Sequence, residues 1–136
     1  MVYAGAVKAY KKTNVESADN LKLVVMCYEA AINDLRTAKE LHEQKEIDSC
    51  YDKLRHAQDI ITELLVGLDY ERGGEIAQSL SQLYNFVLRQ LIGINSRQDT
   101  SCYQQLIDML GELKSAWEQV RHSGSYSPEL RSQKVA

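Results

Sequence analysis

From Leu21 to Leu41 the apolar side chains fall at intervals of three and four: Leu21, Val24, Val25, Tyr28, Ile32, Leu35, Ala38 and Leu41. That rhythm draws one stripe along an α-helix and leaves Asn33, Asp34, Arg36, Lys39 and Glu40 mostly on the other side. Asp19, just ahead of it, is placed to cap the free amides of the first turn. The pattern returns three times. A second stripe runs Ile47, Tyr51, Leu54, Ala57, Ile61, Leu64, Leu65 and Leu68, with Glu46 or Asp48 near its start. A third runs Ile76, Leu80, Leu83, Val87, Leu91 and Ile94, and a fourth, behind Asp99 or Thr100 as cap, runs Tyr103, Leu106, Leu110, Leu113, Trp117 and Val120.

Helices of about 20 residues are each about 30 Å long at ~1.5 Å per residue. Only HEQKE separates the first two stripes, so those helices must reverse sharply and pack antiparallel. The expectation is an all-α fold, an antiparallel four-helix bundle with a short N-terminal arm or helix. One proline, Pro128, among 136 residues suits long helices and argues against a many-turned β-sandwich. The bundle is placed at residues 19–121. Residues 1–18 form the arm, with Tyr3, Val7 and Tyr10 at spacings of four and three. Residues 122–136, rich in Ser with Gly and Pro and without apolar period, are expected to be a disordered tail.

Net charge is −3, but residues 1–16 and 121–136 each carry +2, which leaves −7 on residues 17–120. An acidic body argues against nucleic acid as a partner, because neutralising phosphates takes clustered Lys and Arg. No apolar run approaches the ~20 residues that span a bilayer, and the start MVYAGAVKAYKK lacks the order of a secretory signal. Membrane insertion is not expected, and a cytoplasmic location is.

Chemistry finds little purchase. Cys27, Cys50 and Cys102 form no CxxC pair and read as core or half-buried thiols. A di-iron bundle needs Glu-x-x-His, yet Lys39, Lys53 and Gln119 stand three before His42, His56 and His122. CxxCH and HExxH are absent too, so neither metal nor cofactor is expected. The pair Gly73-Gly74 follows a helical segment rather than a strand, and Glu75 comes next where a phosphate loop would want cations. The two glycines read as the positive-φ residues that end helix two and admit helix three.

Tyr28, Tyr51, Tyr84, Phe86 and Tyr103 read as core aromatics whose phenols reach the rim for water. Helix three has a surplus. Leu83, Tyr84, Phe86, Val87 and Leu88 cover more of its circumference than one core-facing stripe needs, the mark of a partner groove.

The run Leu68-Asp69-Tyr70-Glu71-Arg72-Gly73-Gly74-Glu75-Ile76-Ala77, followed by Leu80 and Leu83-Tyr84-Asn85-Phe86, closely resembles the flagellin-specific export chaperones, the FliS family. Lys8-Ala9-Tyr10, Val15-Glu16-Ser17-Ala18, Met26-Cys27-Tyr28, Ala57-Gln58-Asp59-Ile60-Ile61, Asp99 and Ala116-Trp117 match in order on both sides, covering about residues 7 to 120. Two departures stand out. Ser17-Ala18-Asp19-Asn20 lacks the proline with which the family usually enters its first long helix, and Cys27 replaces a customary Leu.

The resemblance implies a cytoplasmic, non-enzymatic, ATP-independent chaperone that binds the disordered C-terminal segment of flagellin, prevents premature polymerisation and delivers it to the flagellar type III export apparatus. A helical adaptor for a flagellar regulator or another partner helix is the alternative. Under the chaperone reading Val7 and Tyr10 belong to an arm that covers or contacts the site, while Ile76, Leu80, Leu83, Tyr84 and Val87 are candidates for groove or core. Periodicity alone does not separate those last two roles.

Overall fold

The computed structural model describes residues 18–94 and 100–124, with side chains for 21–94 and 100–122. Four helices follow in order: α1 (Ala18–Glu43), α2 (Ile47–Val66), α3 (Tyr70–Ile94) and α4 (Ser101–Gly124). The described residues hold no strand, and the all-α bundle expected from the four stripes is what forms. Most residues of each stripe are buried together: Leu21 through Ala38 on α1, Leu54 through Leu64 on α2, Leu80 through Ile94 on α3 and Tyr103 through Val120 on α4. The exceptions lie mainly toward stripe ends, where Leu41 and Tyr51 are half-buried and Ile47 and Ile76 are exposed.

α1 is the organising helix. It packs against α2 on one side and α4 on the other, α2 packs against α3, and α3 and α4 meet least of these neighbours. The antiparallel pairing of α1 and α2 can be read from two side-chain levels. Asp34 bonds to His56, and seven residues back along α1 Cys27 feels the charge of Glu63, seven residues forward along α2. The reversal is tight because α1 ends in a Schellman turn: the Glu46 amide donates to the Leu41 carbonyl at 2.8 Å and the Lys45 amide to the His42 carbonyl at 3.1 Å. Lys45 holds the left-handed position there, at φ 63°, where glycine is usual.

The third helix departs from the expectation. Helix two ends at Val66, and Gly67 closes it with an amide bond to the Glu63 carbonyl while keeping right-handed backbone angles. Asp69 then caps a new turn by accepting from the Arg72 amide at 3.1 Å, so α3 starts at Tyr70, ahead of the glycine pair. Of the two glycines only Gly74 has positive φ, at 51° with ψ −124°, the mirror-image geometry of a II′ turn. It kinks α3 between its first turn and its main length rather than ending α2.

At the other junctions, α1 begins at Ala18, one residue before the Asp19 read as its cap, whose side chain lies outside the described residues. Asp99 also lies outside them. Thr100 precedes α4, and its hydroxyl donates to the Glu43 carboxylate at 3.4 Å, tying the start of α4 to the end of α1.

The tyrosines correct a second expectation. Tyr28, Tyr84 and Tyr103 are fully buried, and their phenols find partners inside the bundle instead of at its rim. The Tyr28 and Tyr84 hydroxyls bond across the diagonal from α1 to α3, and the Trp117 indole N–H of α4 donates to the Tyr28 oxygen at 3.2 Å. Near the Schellman turn, the Tyr103 hydroxyl of α4 lies 2.9 Å from Nδ1 of His42 and 3.3 Å from Sγ of Cys50. Buried polar groups of this kind select one register of helices, because any slip leaves them without partners.

Candidate functional site

On α3 the core face is Ala77, Leu80, Tyr84, Val87, Leu91 and Ile94, all buried. Beside it runs a second row at intervals of seven and three, Ile76, Leu83 and Phe86, with Ile76 40% exposed and the other two half-buried. Leu88 is half-buried and Ile92 is 64% exposed. The apolar surplus read from the sequence therefore divides cleanly: Tyr84 and Val87 are core, while Leu83, Phe86 and Leu88 reach part-way to solvent. Among the candidate residues, Leu80, Tyr84 and Val87 lie inside, Ile76 and Leu83 open outward, and Val7 and Tyr10 lie outside the described residues.

α4 presents a comparable row. Cys102, Met109 and Leu113, spaced by seven and four, are half-buried against the core. Of the neighbouring helices, α3 and α4 pack least closely. A cleft of ≈ 610 Å³ opens at the α2–α3 corner, lined by Leu65, Val66, Leu68, Asp69, Tyr70 and Glu71. Val66 and Tyr70 stand 64% and 49% exposed on its wall. Neither had been singled out from the sequence as a site residue; their signal was their place on either side of the Gly67 to Asp69 turn.

Burial holds Tyr28, Tyr103 and Cys27 toward their neutral forms. Burial pushes the Tyr28 phenol far above its ordinary value, with Tyr84 adding to the effect, and burial likewise raises Tyr103, helped by its bond to Cys50. Burial first and the Glu63 charge second raise the Cys27 thiol, which keeps its nucleophilic thiolate scarce. No three His, Cys, Asp or Glu residues among those described converge in a way that could hold a metal ion. What the surface offers is apolar contact along a helix, a means of holding another chain.

The sequence model of the family described as "Flagellar protein FliS" matches residues 3–124. This chain belongs to the FliS family. The match spans all four helices, so FliS membership and the bundle fold concern the same residues. Among curated proteins it is 37% identical over 120 residues to the "Flagellar secretion chaperone FliS" of Vibrio cholerae, covering 85% of this chain and 88% of that one. It is 34% identical over 131 residues to the protein of the same description in Salmonella typhimurium, covering 93% and 97%. The "Flagellar secretion chaperone FliSB" of Pseudomonas aeruginosa is 30% identical over 121 residues, covering 86% and 96%. The FliS resemblance carried by Leu68 to Phe86 thus extends over nearly the whole chain, and no described helix is long and apolar enough to cross a membrane.

Proposed function

We propose that this protein is a flagellar secretion chaperone of the cytoplasm, non-enzymatic and ATP-independent, whose client is the disordered C-terminal segment of flagellin. Holding that segment prevents premature polymerisation and delivers flagellin to the type III export apparatus. The observation that carries the reading is the part-exposed row Ile76, Leu83 and Phe86 on α3, in a chain whose FliS relatives are described as flagellar secretion chaperones. A disordered client loses chain entropy when it orders, and a long apolar groove offsets that loss. Leu80, Tyr84 and Val87 support the row from beneath.

Residues 1–18, through Val7 and Tyr10, cover part of this surface until the client displaces them. The pairing of α1 with α2 supports that role, since α1 starts at the end of the bundle where α2 finishes and the Leu65–Glu71 cleft opens. Deleting residues 1–15 should raise the binding of a dye that reports exposed apolar surface. The decisive test is isothermal titration of the full chain with peptides from the C-terminal and N-terminal segments of its host's flagellin. Selective binding of the C-terminal peptide with a negative heat-capacity change is expected. Failure of both peptides would reject the flagellin reading and leave an adaptor for another flagellar partner.

A further inference from the structure

Between Glu75 and Arg89, α3 carries no charge: thirteen positions, Ile76 to Leu88, pass without Asp, Glu, Lys or Arg. Its solvent side over that length is polar all the same. Gln78, Gln82 and Asn85 are exposed and follow at intervals of four and three, one row along the helix. The apolar row of Ile76, Leu83 and Phe86 lies between these amides and the core face, with Gln82 one turn before Phe86. α2 is built differently. Its exposed positions include Asp52, Lys53, Arg55, Asp59 and Glu63, the ordinary charged cover of a solvated helix.

We propose that, in the chaperone reading on which this rests, Gln78, Gln82 and Asn85 hydrogen-bond to the backbone of the client. The client then crosses this part of α3 as an extended chain, its side chains held by the apolar row and its main chain by the amides. Charge is what the core of an interface excludes, because stripping water from a charge costs more than stripping it from an amide. A primary amide offers both donors and an acceptor, the complement of a peptide group. A client already helical there would pair its peptide groups within itself, whereas a disordered one brings them unpaired.

The spacing agrees. Gln78 and Gln82 are separated by about 6 Å along the helix axis, close to the ~6.6 Å between alternate residues of an extended chain, whose peptide groups face the same side. From Glu75 to Arg89 the charge-free length is about 20 Å, room for about six extended residues. Main-chain contacts of this kind are indifferent to side-chain identity. Gln78, Gln82 and Asn85 therefore add affinity that tolerates variation in the client, and Ile76, Leu83 and Phe86 supply the selection.

Isothermal titration of the full chain with the C-terminal flagellin peptide tests this, with helicity and melting temperature of each variant checked by circular dichroism. Gln78→Met/Gln82→Met keeps the length of both side chains and removes their donors and acceptors. It should weaken binding by about tenfold without lowering the melting temperature. Asn33→Met, a similar change at an exposed position of α1, should leave binding within about twofold of wild type. Replacing peptide bonds of the flagellin peptide one at a time by esters, which lack the N–H donor, should cost the wild type affinity at particular positions and cost the double variant nothing at those positions. A double variant that binds as tightly as wild type, or an ester scan that affects both proteins alike, would overturn the proposal and leave the chaperone reading standing. A wild type that binds neither flagellin peptide would overturn both.

Discussion

The phenol oxygens of Tyr28 and Tyr84 lie 2.5 Å apart at the centre of the bundle, joining the two helices that face each other across its diagonal. Tyr28 is the shared member, since the Trp117 indole also donates to its oxygen. Tyr28→Phe keeps the ring and removes the partner that Tyr84 and Trp117 have in common. It should cost about 1–3 kcal/mol, against about 1 kcal/mol for Tyr84→Phe. Urea unfolding of the two variants gives the comparison, and equal losses would mean that Tyr28 is not the centre of the network.

The same burial makes the fold sensitive to alkali. Tyr28 titrates far above its ordinary value when folded, so above about pH 10 the unfolded chain loses this proton while the folded chain keeps it. The folded state then binds more protons than the unfolded one, and stability falls as pH rises, by up to about 1.4 kcal/mol per pH unit for the group. Below pH 10 this contribution is fully present. Thermal melts at increasing pH should show the decline, and Tyr28→Phe should make it shallower, leaving the share contributed by the buried Tyr103.

Two glycines should respond in opposite senses to alanine. Gly74→Ala meets no atom within 4 Å, so its whole cost comes from the backbone, φ 51° with ψ −124°, about 1–3 kcal/mol. Gly111, inside α4, also has open space around the missing Cβ, and Ala there should stabilise by about 0.5–1 kcal/mol. Melting temperatures of the two variants, moving down and up respectively, check both statements.

Binding and stability should separate along α3. Leu80 is buried at 8% exposure, so Leu80→Ala should lower stability by about 2–5 kcal/mol. Ile76→Ala and Leu83→Ala remove side chains that open outward. Each should weaken the C-terminal flagellin peptide by roughly tenfold while changing the melting temperature far less. Titration and melting of the same three preparations make the test.

The helices were legible because burial of one face imposes a three-and-four rhythm, and nearly every residue of the α1 stripe is indeed inside. What the rhythm does not encode is how closely the next helix approaches. Leu83 and Leu80 both obey the α3 period, yet only Leu80 is sealed, because coverage depends on how α3 sits against its neighbours. The start of α3 was hidden by the glycine pair, which drew attention from Asp69, a sound cap with an amide donor three residues on at Arg72. The buried phenols were hidden for another reason. Tyr28 meets residues 56 and 89 positions away, and no local pattern announces such a meeting.

The Schellman turn that joins α1 to α2 also bears on the order in which the chain assembles. Only Gln44, Lys45 and Glu46 separate the two helices, so their hairpin closes at little loop entropy and rests on contacts between residues near in sequence. α4 must cross most of the chain to reach α1, as the pairing of Trp117 with Tyr28 shows. During synthesis the first hairpin is complete while α4 is still to be made. The central helix therefore waits with one side open until the last part of the chain arrives.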